Sequence, residues 1–361
     1  MRNLLKKKGA RFVLILASTV GLLSGCALLP STGEKQQIQR VPAPVTDHGL
    51  TLDWGHDVKT EALTMIQHSH KYCYLDMYEL SDPDILHALI EAHQRGTDVR
   101  VVVDATEQHS QQQAVPTLSH AGVPVESQKI HKGISHIKML ITDGPSGGVL
   151  IGGMNFGDRS WDNNDASVHI PSPNPSFLAI FHWDWQRAQG IPSAQPSVQP
   201  PLLNERSTEQ HVVQAIHSAK STVYLEAFNL SDWGVLNALE AASRRGVTVE
   251  VLLDPHQSQN VSAANRLRDA GATVRFYKSY ENEWMHAKIL DVDHGETFII
   301  GSANFSHQAY TYNHEGDVEL HGYPTFDQSL KRDLTLQIER GTDYPAHQKK
   351  HTTNSASSEG D

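Results

Sequence analysis

The chain has 361 residues, which is enough for two domains of roughly 150 residues each. Its composition of 39% hydrophobic, 20% charged and 7% aromatic residues excludes collagen-like, coiled-coil and wholly disordered proteins. Two cysteines exclude a disulfide scaffold and a zinc site built on cysteine pairs, and the formal net charge of −11 argues against non-specific binding of nucleic acid or of an anionic membrane face.

Residues 1–25 have the pattern of a bacterial lipoprotein signal peptide. Five positive side chains precede an apolar run, Phe12 to Leu23, which is shorter than the roughly 20 residues that span a bilayer. The run ends in Leu23-Ser24-Gly25-Cys26, which resembles a lipobox and implies cleavage before Cys26 and lipidation of that residue. Removal of the five positive charges would take the formal net charge from −11 to −16. We therefore expect a secreted protein, lipid-anchored to the outer side of a bacterial membrane in the cell envelope, with residues 26–48 as the tether.

The remainder of the chain contains two copies of one sequence unit. Tyr74 to Asp104 aligns without a gap with Tyr224 to Asp254, at an offset of 150 residues, and 14 of the 31 positions are identical. Each copy has the pattern of a strand, a helix and a second strand, and a further helical pattern precedes each copy.

The sequence of the first copy predicts its strands and its helix in chain order. The aromatic-rich segment Tyr72 to Tyr78 predicts a strand that buries Cys73 as a free thiol. Asp82-Pro83 suits the start of a helix, and Gly96 suits its end. The continuous apolar run from Val99 to Val103 predicts a strand that is covered on both faces.

These patterns predict an α/β protein made of two tandem domains. The first domain is expected over residues 49–185 and the second over residues 209–340, joined by a proline-rich linker at 186–208. The repeated αβαβ order predicts an α/β sandwich with a largely parallel core in each domain. The polar residues 341–361 are expected to be disordered.

A His-x-Lys motif lies near the end of each copy. The first is His136-Ile137-Lys138, followed after four residues by Asp143. The second is His286-Ala287-Lys288, followed after four residues by Asp293, again at an offset of 150. One such match would be weak evidence, whereas two at the repeat offset indicate a functional pair.

A glycine turn that ends in asparagine follows each motif. The turns are Gly152-Gly153-Met154-Asn155 and Gly301-Ser302-Ala303-Asn304. Beyond them lie two acidic residues at matching positions, Asp165 and Glu315. We expect the glycines to let the backbone approach a bound group and the asparagines to donate amide hydrogens.

This set of residues suits chemistry on a phosphate diester. On a strand, residues i and i+2 share a face, so the histidine and lysine of each motif are expected to point the same way. If the copies face each other, the lysines and amides would stabilise charge on the phosphate oxygens. One imidazole could attack phosphorus while the other protonates the leaving alkoxide, and each acid could orient an imidazole through its second nitrogen.

In these motifs the sequence resembles the phospholipase D superfamily, the HKD phosphodiesterases. The resemblance covers roughly residues 50–320 and implies two pseudo-symmetric α/β/α sandwich domains with one active site at their interface. It implies a ping-pong reaction through a covalent phosphohistidine, with no metal and no cofactor. It implies His136 as the nucleophile and His286 as the general acid, although the near symmetry of the copies leaves the opposite assignment open. The implied active-site residues are His136, Lys138, Asn155, His286, Lys288 and Asn304, with Asp165 and Glu315 as acidic partners and Asp143 and Asp293 in structural roles.

One departure from the usual pattern points to a branch of that superfamily. The first turn has Gly153 where Gly-Ser-x-Asn is usual, so that a hydroxyl near the phosphate is absent there. A Gly-Gly-x-Asn first turn with a Gly-Ser-x-Asn second turn resembles the cardiolipin synthase branch, whose common N-terminal membrane helices this chain lacks.

The sequence therefore favours a phospholipase D-type enzyme that hydrolyses phospholipid head groups or transfers them to an alcohol. The expected partners are a phospholipid, water or an alcohol acceptor, and the membrane through Cys26, for a monomer that forms an intramolecular pseudo-dimer. Cardiolipin synthase-like phosphatidyl transfer is the first alternative. Cleavage of DNA is the second, and the negative charge counts against it.

Two non-enzymatic alternatives remain. A binding lipoprotein with a dead site would need a broken motif, and neither copy has one. A metal-binding lipoprotein would use His68-Ser69-His70 near Cys73, but residues i and i+2 of a helix do not share a face.

Overall fold

The computed structural model describes residues 40–345. The predicted signal peptide, Cys26 and most of the predicted tether lie outside the described residues, as do residues 346–361. Within residues 40–345, no helix is both long enough and apolar enough to cross a membrane.

The first half of the described chain forms a sheet of eight strands in the order β1-β2-β8-β7-β6-β3-β4-β5. A π-helical turn at Ser110–Ala114 and a 3-10 turn at Ser160–Asp162 lie in its loops. Its regular elements are β1 (Val45–Asp47), β2 (Leu50–Trp54), α1 (His56–Gln67), β3 (Tyr72–Met77), α2 (Pro83–Gln94), β4 (Asp98–Asp104), α3 (Val115–His120), β5 (Val125–Gln128), β6 (Lys138–Thr142), β7 (Gly148–Gly152), β8 (Ala166–Ile170) and α4 (Pro175–Ala188).

The second half repeats this architecture with a sheet of seven strands in the order β12-β11-β10-β13-β14-β15-β9. Its elements are β9 (Leu202–Leu203), α5 (Glu205–Ser218), β10 (Thr222–Ala227), α6 (Trp233–Arg244), β11 (Thr248–Leu253), α7 (Gln259–Asp269), β12 (Thr273–Phe276), β13 (Lys288–Val292), β14 (Thr297–Gly301), α8 (His307–Thr311), β15 (Asp317–Leu320) and α9 (Pro324–Arg340). Two tandem α/β domains were predicted, and the structure confirms them.

The prediction of a largely parallel core was wrong. Only β3, β4 and β5 pair in parallel in the first sheet, as do β10, β11 and β12 in the second. The strands that follow each His-x-Lys motif pair antiparallel with their neighbours. The physical reason is that short turns join β6 to β7 and β13 to β14, and a short turn can only reverse the chain.

Local sequence explains the helix that packs beside the parallel strands. Asp82 accepts hydrogen bonds from the N–H groups of Asp84 and Ile85, which satisfies two donors at the start of α2. Asp232 does the same for Val235 at the start of α6. After α2 the chain reverses at a glycine with φ of 91°, a conformation that glycine adopts at little cost.

Three buried apolar clusters hold the fold together. One lies between α1, α2, α3 and the first sheet, and a second occupies the equivalent place in the second half. The third joins both sheets with α4 and α9, so that the halves share a core. Cys73 lies in the first of these clusters as a buried free thiol, as predicted, and burial raises its pKa to about 12.

Three predicted boundaries differ from the structure. The predicted tether contains β1, and the predicted linker contains β9 and the first turn of α5. In the predicted tail, Thr342 exchanges backbone hydrogen bonds of 2.8 and 3.0 Å with Phe276. These polar segments were misjudged because edge pairing satisfies backbone groups without an apolar sequence pattern.

The motif aspartates lie at the far ends of β6 and β13 from the histidines. The Oδ1 atom of Asp143 accepts from three successive backbone N–H groups, at 2.8 to 3.1 Å, in the loop that enters β3. Asp293 accepts from three N–H groups in the equivalent loop before β10. Burial raises the pKa of each carboxyl, but the backbone donors outweigh it and hold both values below the ordinary 3.8. Each aspartate therefore fastens the strand that carries its motif to the strand beside it.

We predict that Asp143→Ala lowers the free energy of unfolding by about 1–2 kcal/mol at pH 7, because three N–H groups lose their acceptor. The pKa of Asp143 is lower in the folded state, so its stabilisation is present above pH 3.8 and is lost as the pH falls through the folded value. Urea unfolding should therefore show the full difference between the wild type and the variant from pH 7 to about pH 4, and a shrinking difference as the pH falls below 3.8. Asp158→Ala, which removes an exposed carboxylate, is the control. Equal stability of the wild type and Asp143→Ala at pH 7 would contradict this role.

Candidate active site

The two His-x-Lys segments meet where the halves face each other. β6 begins at Lys138 and β13 at Lys288, so that each histidine lies two residues before its strand and not on it as predicted. All four side chains are buried, with His136 exposing 5% of its surface and His286 exposing 2%. Buried charged groups need partners, so the contacts of these four residues define the site.

An acid from the opposite half holds each of the two candidate catalytic histidines. Nδ1 of His136 lies 3.0 and 3.1 Å from the two carboxylate oxygens of Glu315. Nδ1 of His286 lies 2.7 Å from Oδ2 of Asp165. Since Nδ1 faces a carboxylate in both cases, Nε2 is the nitrogen of each ring that is not held by an acid.

The backbone repeats the same exchange between the halves. The N–H of His136 donates to the carbonyl of His314 at 2.8 Å, and the N–H of His286 donates to the carbonyl of Asn164 at 2.9 Å. Each of these carbonyls belongs to the residue just before the acid that holds the same histidine. Each histidine is therefore fixed at its ring and at its main chain by two consecutive residues of the other half.

Glu315 has further contacts that affect its orientation and its pKa. The Ser302 hydroxyl donates to Oε2 at 2.5 Å, and the side-chain amide of Asn313 donates to Oε1 at 3.0 Å. Complete burial raises the pKa of Glu315 to about 7, and the positive charge of Lys138 is the largest effect that opposes the rise. The second-turn serine therefore supports the acid of its own half, which sequence reasoning did not foresee.

A steric reason explains why the first turn has glycine at that position. A Cβ on Gly153 would lie 2.3 Å from Oδ1 of Asp165, so any side chain there would displace the carboxylate that holds His286. Asp165 instead accepts from the N–H of Ala166 at 2.8 Å. In the first half, the shorter acid, Asp165, therefore packs against a glycine. In the second half, the longer acid, Glu315, accepts a hydrogen bond from a serine.

The first glycine of each turn serves strand packing. A Cβ on Gly152 would lie 2.4 Å from the carbonyl of Ala166 in β8, and one on Gly301 would lie 2.0 Å from Asp317 at the start of β15. This packing accounts for glycine at both positions, and the expectation that the glycines let the backbone approach a bound group stays a prediction.

The lysines are held against the histidines of their own motifs. Nζ of Lys138 donates to the carbonyl of His136 at 2.7 Å. Nζ of Lys288 donates to the carbonyl of His286 at 2.5 Å and lies 3.0 Å from each nitrogen of that ring. Each ammonium also lies about 5 Å from the centre of an aromatic ring, a favourable contact for a buried cation. The rings are those of Tyr78, at 5.1 Å, and Phe228, at 5.0 Å.

The two asparagines complete the set. Asn155 and Asn304 expose 3% and 7% of their surfaces, and the Oδ1 atom of each is buried without a hydrogen-bond partner among the described residues. A buried amide that is not fully bonded costs free energy, which a polar ligand can recover.

A separate acidic group has the spacing of a metal site. Ligand atoms of Asp76, Asp184 and His314 all lie within 4.8 Å of one another, and all three residues are buried. The sequence suggested His68 and His70 instead, but Nδ1 of His68 lies 2.9 Å from the carbonyl of Thr64, in the last turn of its own helix.

Sequence reasoning assigned no role to the residues that lie behind the histidines. They are buried polar side chains that contact each other across the halves, and most occur in pairs at the repeat offset, which was the available signal. Two pairs lie at the offset of 150, Asp76 with Glu226 and Asn164 with His314, and one pair lies at an offset of 149, Asp184 with Asp333.

The sequence matches a known family in both halves. The family description "Cardiolipin synthase, PLD-like domain" matches residues 62–185 and again residues 212–334. These ranges contain both His-x-Lys motifs, both asparagine turns and both acids.

Individual relatives agree with this match. The chain is 24% identical over 335 residues to cardiolipin synthase 1 of Staphylococcus aureus, across 79% of this chain and 65% of that protein. It is 29% identical over 208 residues to cardiolipin synthase A of Pseudomonas putida, across 50% of this chain and 42% of that protein. The chain thus spans less than two thirds of the length of these relatives.

A solved structure shows the same fold. The crystal structure of phosphatidylserine synthase from Haemophilus influenzae superimposes with a TM-score of 0.61 at 13% identity, across 86% of this chain and 92% of that one. Together with the family match over both halves, the chain belongs to the phospholipase D superfamily, in the family of cardiolipin synthase PLD-like domains.

Proposed function

We propose that this protein is a phospholipase D-type enzyme that cleaves a phospholipid at its phosphate diester and passes the phosphatidyl group to water or to an alcohol. The observation that carries the proposal is the pair of buried imidazoles, each held at Nδ1 by a carboxylate of the opposite half. Two such groups supply a nucleophile and a proton donor to the same phosphorus.

The first chemical step forms a covalent intermediate. Nε2 of His136 attacks phosphorus, and the bond from phosphorus to the head-group oxygen breaks. His286, protonated at Nε2, gives its proton to the leaving alkoxide. In the second step neutral His286 takes the proton of water or an alcohol, whose oxygen attacks the phosphohistidine and releases His136.

The remaining side chains stabilise the charge of the reacting phosphate. Lys138 and Lys288 place ammonium groups beside the histidines. Asn155 and Asn304, which are buried in the turns after β7 and β14, are proposed to donate amide hydrogens to the same phosphate. Preorganised donors of this kind act strongly because little water is present to screen them.

The acceptor distinguishes hydrolysis from transfer. The relatives named cardiolipin synthases favour transfer, in which the hydroxyl of one phosphatidylglycerol would accept the phosphatidyl group of another. Cleavage of DNA is disfavoured by the net charge of −11.

We expect the wild type to release head groups from vesicles of phosphatidylglycerol. Phosphatidylethanol should form when ethanol is added, because the alcohol competes with water for the same phosphohistidine. Mass spectrometry of the lipids measures both products. Formation of cardiolipin from phosphatidylglycerol alone would support the synthase-like reaction. Cleavage of DNA with no product from any phospholipid would overturn the proposal.

Three variants and a chelator serve as controls for that assay. His136→Ala and His286→Ala should each lower the rate by about 10³-fold or more, since each removes an essential group. His87→Ala, which alters an exposed histidine on α2, should leave the rate unchanged. Excess EDTA should not inhibit, because the proposed steps use only side chains.

The pKa of Glu315 predicts a pH dependence. At pH below about 7 this carboxylate is protonated and no longer holds the His136 ring through a negative charge, so kcat/KM should rise as the pH increases through 7. Glu315→Gln should lower kcat/KM by about 10²-fold or more and should lack this rise. Asp53→Asn is the matched control, since burial also raises the pKa of Asp53 to about 7, and this residue lies in β2. An unchanged rise in Glu315→Gln would contradict the role of the acid.

We also propose that a lipid on Cys26 anchors the enzyme to the outer side of a bacterial membrane. The support is the apolar run that ends in Leu23-Ser24-Gly25-Cys26. Radiolabelled palmitate supplied to bacteria that express the full chain should be incorporated into the wild type and not into Cys26→Ser. Equal labelling of both proteins would refute the anchor.

A further inference from the structure

We propose that His314 is a positioning residue for His136, held as a buried imidazolium between two carboxylates. This inference rests on the proposed function, because it assigns His136 a part in catalysis. It concerns a residue that lies behind the active site and does not reach the substrate.

The contacts of the ring define its charge. Nδ1 of His314 lies 2.7 Å from Oε1 of Glu205, and Nε2 lies 3.0 Å from Oδ2 of Asp184. An ionised carboxylate only accepts hydrogen bonds, so both ring nitrogens must carry hydrogen, which makes the ring cationic. Burial lowers the pKa of His314, but the charges of Asp184 and Glu205 outweigh it and hold the value well above 6.5.

The main chain of His314 connects the position of its ring to the active site through two hydrogen bonds. Its carbonyl accepts from the N–H of His136 at 2.8 Å, and its N–H donates to the carbonyl of Ile134 at 2.9 Å. The next residue, Glu315, holds the His136 ring and points its own N–H at Glu205, at 3.4 Å. A shift of the His314 ring would therefore move both supports of His136 together.

A second route ties the same cluster to the other side of His136. Oδ1 of Asp184 accepts from the side-chain amide of Gln128 at 3.0 Å, and Oε1 of Gln128 accepts from the Ser135 hydroxyl at 2.7 Å. Ser135 directly precedes His136, and its N–H donates to Asp104 at 2.6 Å. The imidazolium therefore belongs to a closed network that surrounds the backbone of the proposed nucleophile.

A further buried acid lies next to Asp184 and adds to the need for a positive charge in this cluster. Asp76 is completely buried beside Asp184, and burial together with that negative charge raises its pKa well above 3.8. Both ring nitrogens of His314 lie at hydrogen-bond distance from carboxylates, so a hydrogen on each nitrogen satisfies these contacts. The imidazolium thus supplies a positive charge between Asp184 and Glu205.

In the first half, a neutral residue, Asn164, has the position that His314 has in the second half. We call the residue at this position the clamp, because its carbonyl accepts from the N–H of a catalytic histidine. Asn164 donates from its side-chain amide to Asp333 at 2.7 Å, and its carbonyl accepts from the N–H of His286. Asp333 lies beside Glu226, as Asp184 lies beside Asp76. Asn164 therefore shows that an asparagine can occupy the position that His314 has in the second half.

The test compares His314→Asn with His314→Asn/Glu205→Gln, using bis(p-nitrophenyl) phosphate as a simple diester. The single variant leaves the two carboxylates without their cation, and we expect kcat to fall about 10- to 100-fold with KM within about twofold of the wild type. The double variant restores the neutral arrangement of the other half and should recover kcat to within about threefold of the wild type. His169→Asn is the matched control, because His169 also contacts a carboxylate, Glu61, at 3.0 Å, but on β8.

Several outcomes would overturn the inference. They are a kcat for His314→Asn within about twofold of the wild type, an equal loss in His169→Asn, and a loss in the single variant that the double variant does not relieve. Melting temperatures measured in parallel identify a loss that only follows unfolding.

A readout without turnover separates this inference from the proposed function. If the wild type cleaves no diester, the proposed function fails, and nitrogen NMR of histidine-labelled protein decides the inference. We expect both ring nitrogens of His314 to be protonated at pH 8 and the ring signals of His136 to shift in His314→Asn. A neutral His314 ring, or unchanged His136 signals, would overturn it.

Discussion

The crossed pairing of acids and imidazoles is the interaction on which this structure depends. Glu315 holds His136 and Asp165 holds His286, so each proposed catalytic histidine depends on an acid of the other half. A buried ion pair that loses one partner leaves an uncompensated charge, which costs several kcal/mol. The shared apolar core between the two sheets keeps the halves in the register that this pairing requires.

Pseudo-symmetry sets the frame, and the departures from it distinguish the two histidines. The acid of His136 is a glutamate supported by a serine hydroxyl, and its pKa is raised to about 7. The acid of His286 is an aspartate packed against glycine. A ping-pong reaction needs one imidazole to begin as a neutral nucleophile and the other as a proton donor, so unequal surroundings are useful. The charged clamp at His314 and the neutral clamp at Asn164 extend the same asymmetry behind the site.

Much of this arrangement could be predicted from the sequence. The repeat located both domains, and residue types at matching offsets identified the two motifs, both turns and both acids. The sequence could not show which acid meets which histidine, because that depends on how the halves face each other. It also could not separate the glycines that allow strands to approach, such as Gly152, from glycines that would admit a ligand. The repeat offset pairs His314 with Asn164, but its role could not be predicted, because Asp184 and Glu205 are brought to it by two separate helices, α4 and α5.

Covalent trapping tests most directly the claim that His136 and His286 act in one site with different roles. His286→Ala lacks the group that activates water, so an activated diester such as bis(p-nitrophenyl) phosphate should leave a nitrophenyl phosphoryl group on the enzyme. Mass spectrometry of peptides after an alkaline quench locates this group. We predict that it lies on His136 and is absent from His136→Ala. An adduct on His286 in His136→Ala, or turnover with no adduct on either histidine, would contradict the mechanism.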